Sequence, residues 1–221
     1  MHKPPLSDIG FLASASAALR GMVSDLAVRK NLAAGEVLFE QGTPGDAMFA
    51  IISGEVEVSV TSAAGRKLGL DIMGPGDLLG EIALFSPGPR TATITATRDT
   101  EVWRLKNADV LQALRATPEL YVDMLELAGK RMRWLSAQYH EHVFMDVTSR
   151  LARKILHLSG HPQTELQMSH ADLANFVGAT RETVSKTLAV WKRSDLIRMG
   201  RGTLLVLDSE GLEKIARAEF L

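Results

Sequence analysis

The chain of 221 residues contains no cysteine. No disulfide, thiol nucleophile or cysteine-ligated iron–sulfur cluster can form, which removes several redox and catalytic classes at once. Of the six histidines (His2, His140, His142, His157, His161 and His170), none falls in the glycine-punctuated stretch 31–105, which therefore offers no imidazole to a haem iron. His140 and His142 read as helix-surface residues rather than metal ligands, and no metal site is expected. Long apolar runs are missing too. Met1-His2-Lys3-Pro4-Pro5 opens onto nothing long enough for a signal peptide or a membrane span, so the expectation is a cytoplasmic protein without membrane contact. Paired carboxylates, a nucleophile elbow and a Walker-type loop are also absent, so no catalytic residue is assigned and no enzyme is expected. Neither charge dominates: 25 basic residues stand against 26 acidic ones, a net charge of -1. That balance conceals an asymmetry, because from Arg150 onward eleven Lys/Arg face eight Asp/Glu while residues 1–149 hold fourteen against eighteen. A mildly basic C-terminal part permits contact with nucleic acid.

What is present falls into three regimes. Residues 6–30 predict a helix, with Leu12, Leu19, Met22, Val23 and Leu26 forming an apolar stripe. From Asn31 to about Leu105 glycines recur at short intervals between β-branched and apolar runs, as antiparallel strands joined by turns require. The candidates are 37–39, 47–52, 55–60, 67–72, 92–96 and 101–105, and alternation places Val56, Val58 and Val60 on one face. So many short strands predict a jelly roll or a small barrel. After Pro118, Tyr121, Leu125, Ala128, Met132, Leu135 and Tyr139 recur at steps of four and three along a helix expected over 119–145. Such a stripe suits a parallel homodimer; the alternative is packing against the chain's own barrel. Residues 144–148 read as a break before a new stripe, Leu151, Ile155 and Leu158, which Gly160-His161-Pro162 ends. The domains expected are 1–117, 118–145 and 146–221.

Two stretches carry chemistry. The first is Leu79-Gly80-Glu81-Ile82-Ala83-Leu84 with Arg90-Thr91-Ala92. Gly80 lets backbone approach a ligand, Glu81 can accept from a ribose hydroxyl, and Arg90 offers a cationic fork to phosphate with the Thr91 hydroxyl beside it. If Glu81 to Leu84 turn into a short helix, its first free amides, those of Ile82 and Ala83, point at the same anion. The plain alternative is a glycine turn beside a solvated arginine.

The second is a helix pair. Ser169-His170-Ala171-Asp172 has capping-box spacing, Leu173, Phe176 and Val177 supply a buried face, Gly178 suits the turn, and Thr180 can cap a helix over 181–193 held by Val184, Leu188 and Trp191. Arg181, Glu182, Ser185 and Lys186 then turn outward together. Arginine can bond guanine O6 and N7, glutamate can accept from cytosine N4, and Thr180 and Thr183 suit phosphate oxygens. Arg198-Met199-Gly200-Arg201-Gly202-Thr203 leads into an apolar run like a hairpin wing. A solvated charged face is the alternative reading of the same residues.

The first stretch, continued by Ile94 and Ala96, resembles the phosphate-binding cassette of cyclic-nucleotide-binding domains. With the segments 144–152 and 181–186, the whole resembles the catabolite activator (CRP/FNR) superfamily of bacterial transcription regulators. The resemblance implies an α+β fold: an N-terminal jelly-roll cyclic-nucleotide-binding domain, a long dimerisation helix and a C-terminal winged helix-turn-helix. It implies a homodimer on palindromic double-stranded DNA, with RNA polymerase as a further partner. The implied effector is a cyclic nucleotide, cyclic AMP with cyclic GMP as second choice, and no tightly bound cofactor. Gly80 and Glu81 would hold the ribose, Arg90 and Thr91 the cyclic phosphate, and Arg131 would lie near the phosphate side. Arg181, Glu182 and Lys186 would read the half-site, although the catabolite activator branch usually has arginine where Lys186 stands. In the cyclic-AMP-responsive branch two small hydroxyl residues meet the adenine; here Leu135 and Ser136 occupy those places, and Leu135 cannot hydrogen-bond the exocyclic amine. The alternatives are the same fold answering to another ligand or to none, and a regulatory subunit for a partner enzyme, against which the helix pair argues.

Overall fold

The computed structural model describes residues 10–159 and 165–218. Residues 6–9 of the first expected helix and the helix end at Gly160-His161-Pro162 lie outside the described residues. Two compact units are divided within one long helix, between Met132 and Arg133.

The N-terminal unit starts with a 3-10 turn, Phe11–Ser14, and helix α1, Ala17–Leu26, whose first turn is closed by the Ser16 hydroxyl accepting from the Leu19 amide. The expected stripe holds in part: Leu19, Met22 and Val23 are buried on α1 and Leu12 on the turn before it. The helix does not reach residue 30. Val28–Leu32 forms strand β1, paired antiparallel with β8, Thr100–Lys106. Between them lie β2 (Val37–Phe39), β3 (Ala47–Ser53), β4 (Val56–Thr61), β5 (Lys67–Met73), β6 (Leu78–Leu79), the single-turn helix α2 (Ile82–Phe85) and β7 (Thr93–Ala96). The strands form two four-stranded antiparallel sheets of order β1-β8-β3-β6 and β2-β7-β4-β5, which is jelly-roll topology.

Strand β3 explains the layering. Ala47, Phe49 and Ile51 join a cluster shared by both sheets with Val56, Ile94 and Val102, while Met48 and Ala50 join one formed with α1 and two later helices. Both faces are covered, so the strand is apolar throughout instead of alternating. Strand β4 departs from the expected alternation: Val56 and Ser59 are its buried residues, and Val58 and Val60 are only half-buried. Helix α3 (Asn107–Ala116), not foreseen, supplies Val110 and Leu114 to the cluster around α1.

Helix α4, Leu120–Phe144, presents two stripes. Leu120, Met124 and Leu127 are buried in the N-terminal unit, whereas Tyr121, Leu125, Met132, Leu135 and Tyr139 of the expected seam are 45–72% exposed. Packing against the barrel thus uses residues other than the heptad set.

In the C-terminal unit α5 (Val147–Ser159) follows a break at Met145-Asp146, where an Asp146 carboxylate oxygen accepts from the Ser149 amide at 2.6 Å. The capping box at Ser169 and Asp172 opens α6 (His170–Val177), and Gly178 ends it at φ 64. Thr180 caps α7 (Arg181–Arg193), which buries Val184, Leu188 and Trp191 against α5 and α6. The wing is real: β10 (Ile197–Met199) pairs with β11 (Thr203–Val206). Two elements extend it beyond expectation, strand β9 (Glu165–Gln167) on the far side of β11 and helix α8 (Ser209–Ala216) packed on α5. Among the described residues no helix is long and apolar enough to cross a membrane, and no group of His, Cys, Asp and Glu is arranged to hold a metal ion.

Candidate functional site

The cassette forms where β6 turns into α2. Gly80 takes φ +74, and a Cβ there would collide with Nη1 of Arg90. Arg90 itself is only 5% exposed. Its Nη1 donates to the Gly80 carbonyl at 3.2 Å and its Nη2 to the Ala47 carbonyl at 2.7 Å, while the guanidinium lies 4.1 Å from the Phe39 ring centre. Nε is buried without a hydrogen-bond partner, and no carboxylate reaches ion-pair distance of Arg90 among the described residues. Burial holds the Arg90 pKa below its ordinary value; Asp46 opposes the shift, Arg104 adds to it and Glu81 opposes it. A desolvated cation with one nitrogen left unpartnered and no carboxylate at ion-pair distance suits an anion.

The loop before β3 completes the cradle. The Arg90 amide donates to the Thr43 carbonyl and the Gly42 amide to the Arg90 carbonyl, both at 2.8 Å, and Pro44 and Pro89 face each other in an isolated bridge. Gly45 cannot carry a side chain, because its Cβ would overlap that of Ala83 and press within 3.3 Å of Arg90 Cζ. Phe39 and Gly45 are thus site residues that sequence reasoning does not assign. Gly45 is visible only as a turn glycine, and nothing local marks Phe39.

Glu81 is 2% exposed. Its Oε1 lies 2.7 Å from Arg131 Nε, and Arg131 Nη2 also donates to the Leu78 carbonyl at 2.6 Å. Of the candidate ligand residues, then, Gly80, Glu81, Arg90 and Arg131 are joined by direct bonds or close approach. Ala83 is buried in α2, Ile82 is 39% exposed, and Thr91 is exposed beside Arg90. The turn into α2 forms at Glu81 as expected, its carbonyl accepting from the amides of Leu84 and Phe85. Leu135 and Ser136 stand one turn beyond Arg131 on α4 with exposed side chains.

The second candidate surface is the start of α7. Arg181, Glu182, Thr183 and Lys186 are exposed together, and Thr180 is exposed at the cap. The Thr180 hydroxyl oxygen accepts from the Thr183 amide at 3.2 Å and lies 3.0 Å from the Thr183 hydroxyl. The residue's own backbone amide, and then the Thr180 hydroxyl, hold the Glu182 carboxyl below the usual carboxylate range. An ionised acceptor and an arginine fork thus share one helical turn. Ser185 is half-buried, and its Oγ lies 2.8 Å from His170 Nδ1.

Comparison with known proteins follows the same division. Residues 29–117 match the cyclic nucleotide-binding domain family and residues 149–215 the Crp-like helix-turn-helix domain family. A CRP-like cAMP-activated global transcriptional regulator of Mycobacterium tuberculosis is 33% identical over 191 residues, covering 83% of this chain and 85% of its own. The crystal structure of a CRP/FNR-family transcriptional regulator from Thermus thermophilus superposes with a TM-score of 0.72 at 28% identity, covering 86% of this chain and 99% of that one. The fold is also that of the c-di-GMP responsive global regulator CLP of Xanthomonas campestris, with a TM-score of 0.77 at 22% identity, covering 86% and 99%.

Proposed function

The chain belongs to the CRP/FNR family of cyclic-nucleotide-binding transcription regulators, and we propose that it is a cyclic-AMP-gated homodimer that reads a palindromic DNA operator. One observation carries the ligand reading. Arg90 is a buried guanidinium without a carboxylate partner, seated over a glycine whose Cβ would strike it. A cyclic phosphate supplies the missing negative charge and can accept from the spare Nε, with Thr91 donating from the rim. The amides of Ile82 and Ala83 would donate to the same anion, and Glu81 can accept from the ribose hydroxyl while its Oε1 is bonded to Arg131. The name of the Mycobacterium relative supports cyclic AMP as the effector.

Output lies at α7. Its exposed Arg181, Glu182 and Lys186 would enter the major groove, with Thr180, Thr183 and Ser185 beside them. Pairing through the exposed seam of α4 would set two such helices one DNA turn apart, about 34 Å. The same fold is consistent with RNA polymerase as a partner once DNA is bound. Moving a two-state switch from 1:99 to 99:1 takes roughly 10⁴-fold tighter ligand binding to the active state. One arginine–phosphate contact does not supply that, so residues of α4, Leu135 and Ser136 among them, would contribute.

A second reading has a specific observation in its favour. Leu135 offers no hydrogen bond to an adenine amine, which suits the same regulator answering to another ligand. Isothermal calorimetry with cyclic AMP, cyclic GMP and cyclic di-GMP separates the two. Binding of cyclic AMP by the native protein, lost in Arg90→Ala, is the expected result; cyclic AMP binding that survives Arg90→Ala would move the site elsewhere, and binding of another nucleotide alone would reassign the effector.

A further inference from the structure

A histidine opens the first helix of the helix pair and touches the second. His170 is the first residue of α6, and its Nδ1 lies 2.8 Å from Oγ of Ser185 on α7. Ser185 shares a face with Arg181 and Glu182, and His170 is its side-chain partner among the described residues. His170 also lines a cavity of about 260 Å³, with Ser169, Arg181, Gly200 and Thr203 among others, between the starts of α6 and α7 and the wing turn.

We infer that His170 is a positioning residue for DNA readout, fixing the direction of the Ser185 hydroxyl so that Ser185 meets the base edge as a hydrogen-bond acceptor. The inference rests on the DNA-reading role proposed above for α7. A serine hydroxyl has one donor and two acceptor lone pairs and rotates freely unless something holds its proton. Alone on a recognition helix it suits either kind of base edge and discriminates little. In a neutral imidazole one ring nitrogen donates and the other accepts, and the partner of one decides the role of the other. In helix-turn-helix complexes the first helix crosses the DNA backbone, where phosphate oxygens offer acceptors only. A phosphate accepting from Nε2 of His170 would fix the ring proton there. Nδ1 is then left to accept the Ser185 proton, and the lone pairs of Oγ face the groove. The base edges that donate in the major groove are adenine N6 and cytosine N4, so Ser185 selects an amino base. His170 thereby transmits the backbone contact of α6 into the base preference of α7.

The test is selection of binding sites from randomised duplex DNA by the full-length protein, with and without cyclic AMP. Native protein is compared with His170→Ala, Ser185→Ala, the double variant and His170→Asn, whose side-chain oxygen stands close to where Nδ1 does. Native protein is expected to prefer adenine or cytosine at one base pair of each half-site. His170→Ala and Ser185→Ala each relax that base pair by about three- to tenfold, the worth of one neutral hydrogen bond. The double variant relaxes it no further, and His170→Asn retains most of the preference. A His170→Ala profile that keeps this preference, loses affinity equally on every sequence, or multiplies with the Ser185→Ala loss would overturn the inference and leave the palindrome-reading proposal standing. A native protein that selects no palindrome takes both down.

Discussion

Arg131 Nε sits 2.7 Å from Glu81 Oε1, tying α4 to the one acidic residue of the cassette. The pair is almost dry on the acidic side, where Glu81 is 2% exposed. Removing the arginine leaves a buried carboxylate with nothing opposite it. Arg131→Ala is expected to destabilise the protein by about 2–4 kcal/mol, below a fully buried pair because the arginine is partly hydrated. Thermal unfolding checks this. Arg131→Lys, which keeps the charge but loses the second donor to the Leu78 carbonyl, should fall between the two.

Glycine at position 80 can be tested against a matched control. Gly80 and Gly35 both adopt positive φ, +74 and +85, but a Cβ at Gly35 meets nothing within 4 Å while one at Gly80 strikes Arg90. Both alanine variants should cost about 1–2 kcal/mol in backbone strain. Only Gly80→Ala should also lose cyclic nucleotide affinity, at least tenfold by calorimetry. Equal losses in the two would remove the cradle from the binding argument.

The outer stripe of α4 gives a prediction on assembly. Leu125 and Met132 are 72% and 71% exposed in the single chain, while Met124 beside them is buried. Met132→Glu is expected to shift a dimer to monomer in sedimentation velocity with little change in the chain's own core. Met124→Ala should do the reverse, lowering the unfolding temperature by a cavity cost of about 2–5 kcal/mol and leaving assembly intact.

Burial raises the Asp77 carboxyl above its ordinary value of 3.8, against the opposing amide of Gly74 and the charge of Arg131. The folded state therefore holds this proton more tightly than the unfolded chain does. Its stabilising contribution is complete below the unfolded value and is lost as pH rises through the folded one. Asp77→Asn has no such titration. The difference in unfolding temperature, variant minus native, should accordingly become more positive as pH rises from 4 to 7; a flat difference would refute the assignment.

On the DNA side, Arg181→Ala is expected to relax preference at one base pair of each half-site at about 1–3 kcal/mol. Uniform weakening on all sequences, measured by fluorescence anisotropy, would assign Arg181 to the phosphate backbone.

Local signals make most of the core legible in the sequence. Strands with glycine punctuation, the capping box at Ser169 and the Thr180 cap are features of a few adjacent residues, and each element forms where those residues stand. Strand β1 escapes such a reading because its order comes from elsewhere. Val28 is 65% exposed, Arg29 and Asn31 are exposed, Lys30 is half-buried and only Leu32 is buried, so burial along the segment has no period of two. Its pairing with β8 and the Arg29–Glu101 ion pair hold it in place. Ser59 misleads in the other sense, since it is buried although it lies on the face of β4 opposite Val56 and Val58, which join the cluster between the sheets. At the site, Gly80, Glu81 and Arg90 are readable from residue type and order. Phe39 beneath the guanidinium is not, because a cation over an aromatic face leaves no trace in spacing.

Pro44 and Pro89 face each other at the rim of the cassette, and neither has an N–H to donate. In an antiparallel bridge they occupy the rung whose N–H groups would point away from the partner, so the missing donors cost the pairing nothing, and the Arg90 amide bonded to the Thr43 carbonyl flanks it. The outer edges of this rung therefore present no donor to a further strand. The rim over the arginine pairs with itself and offers nothing for a passing chain to extend.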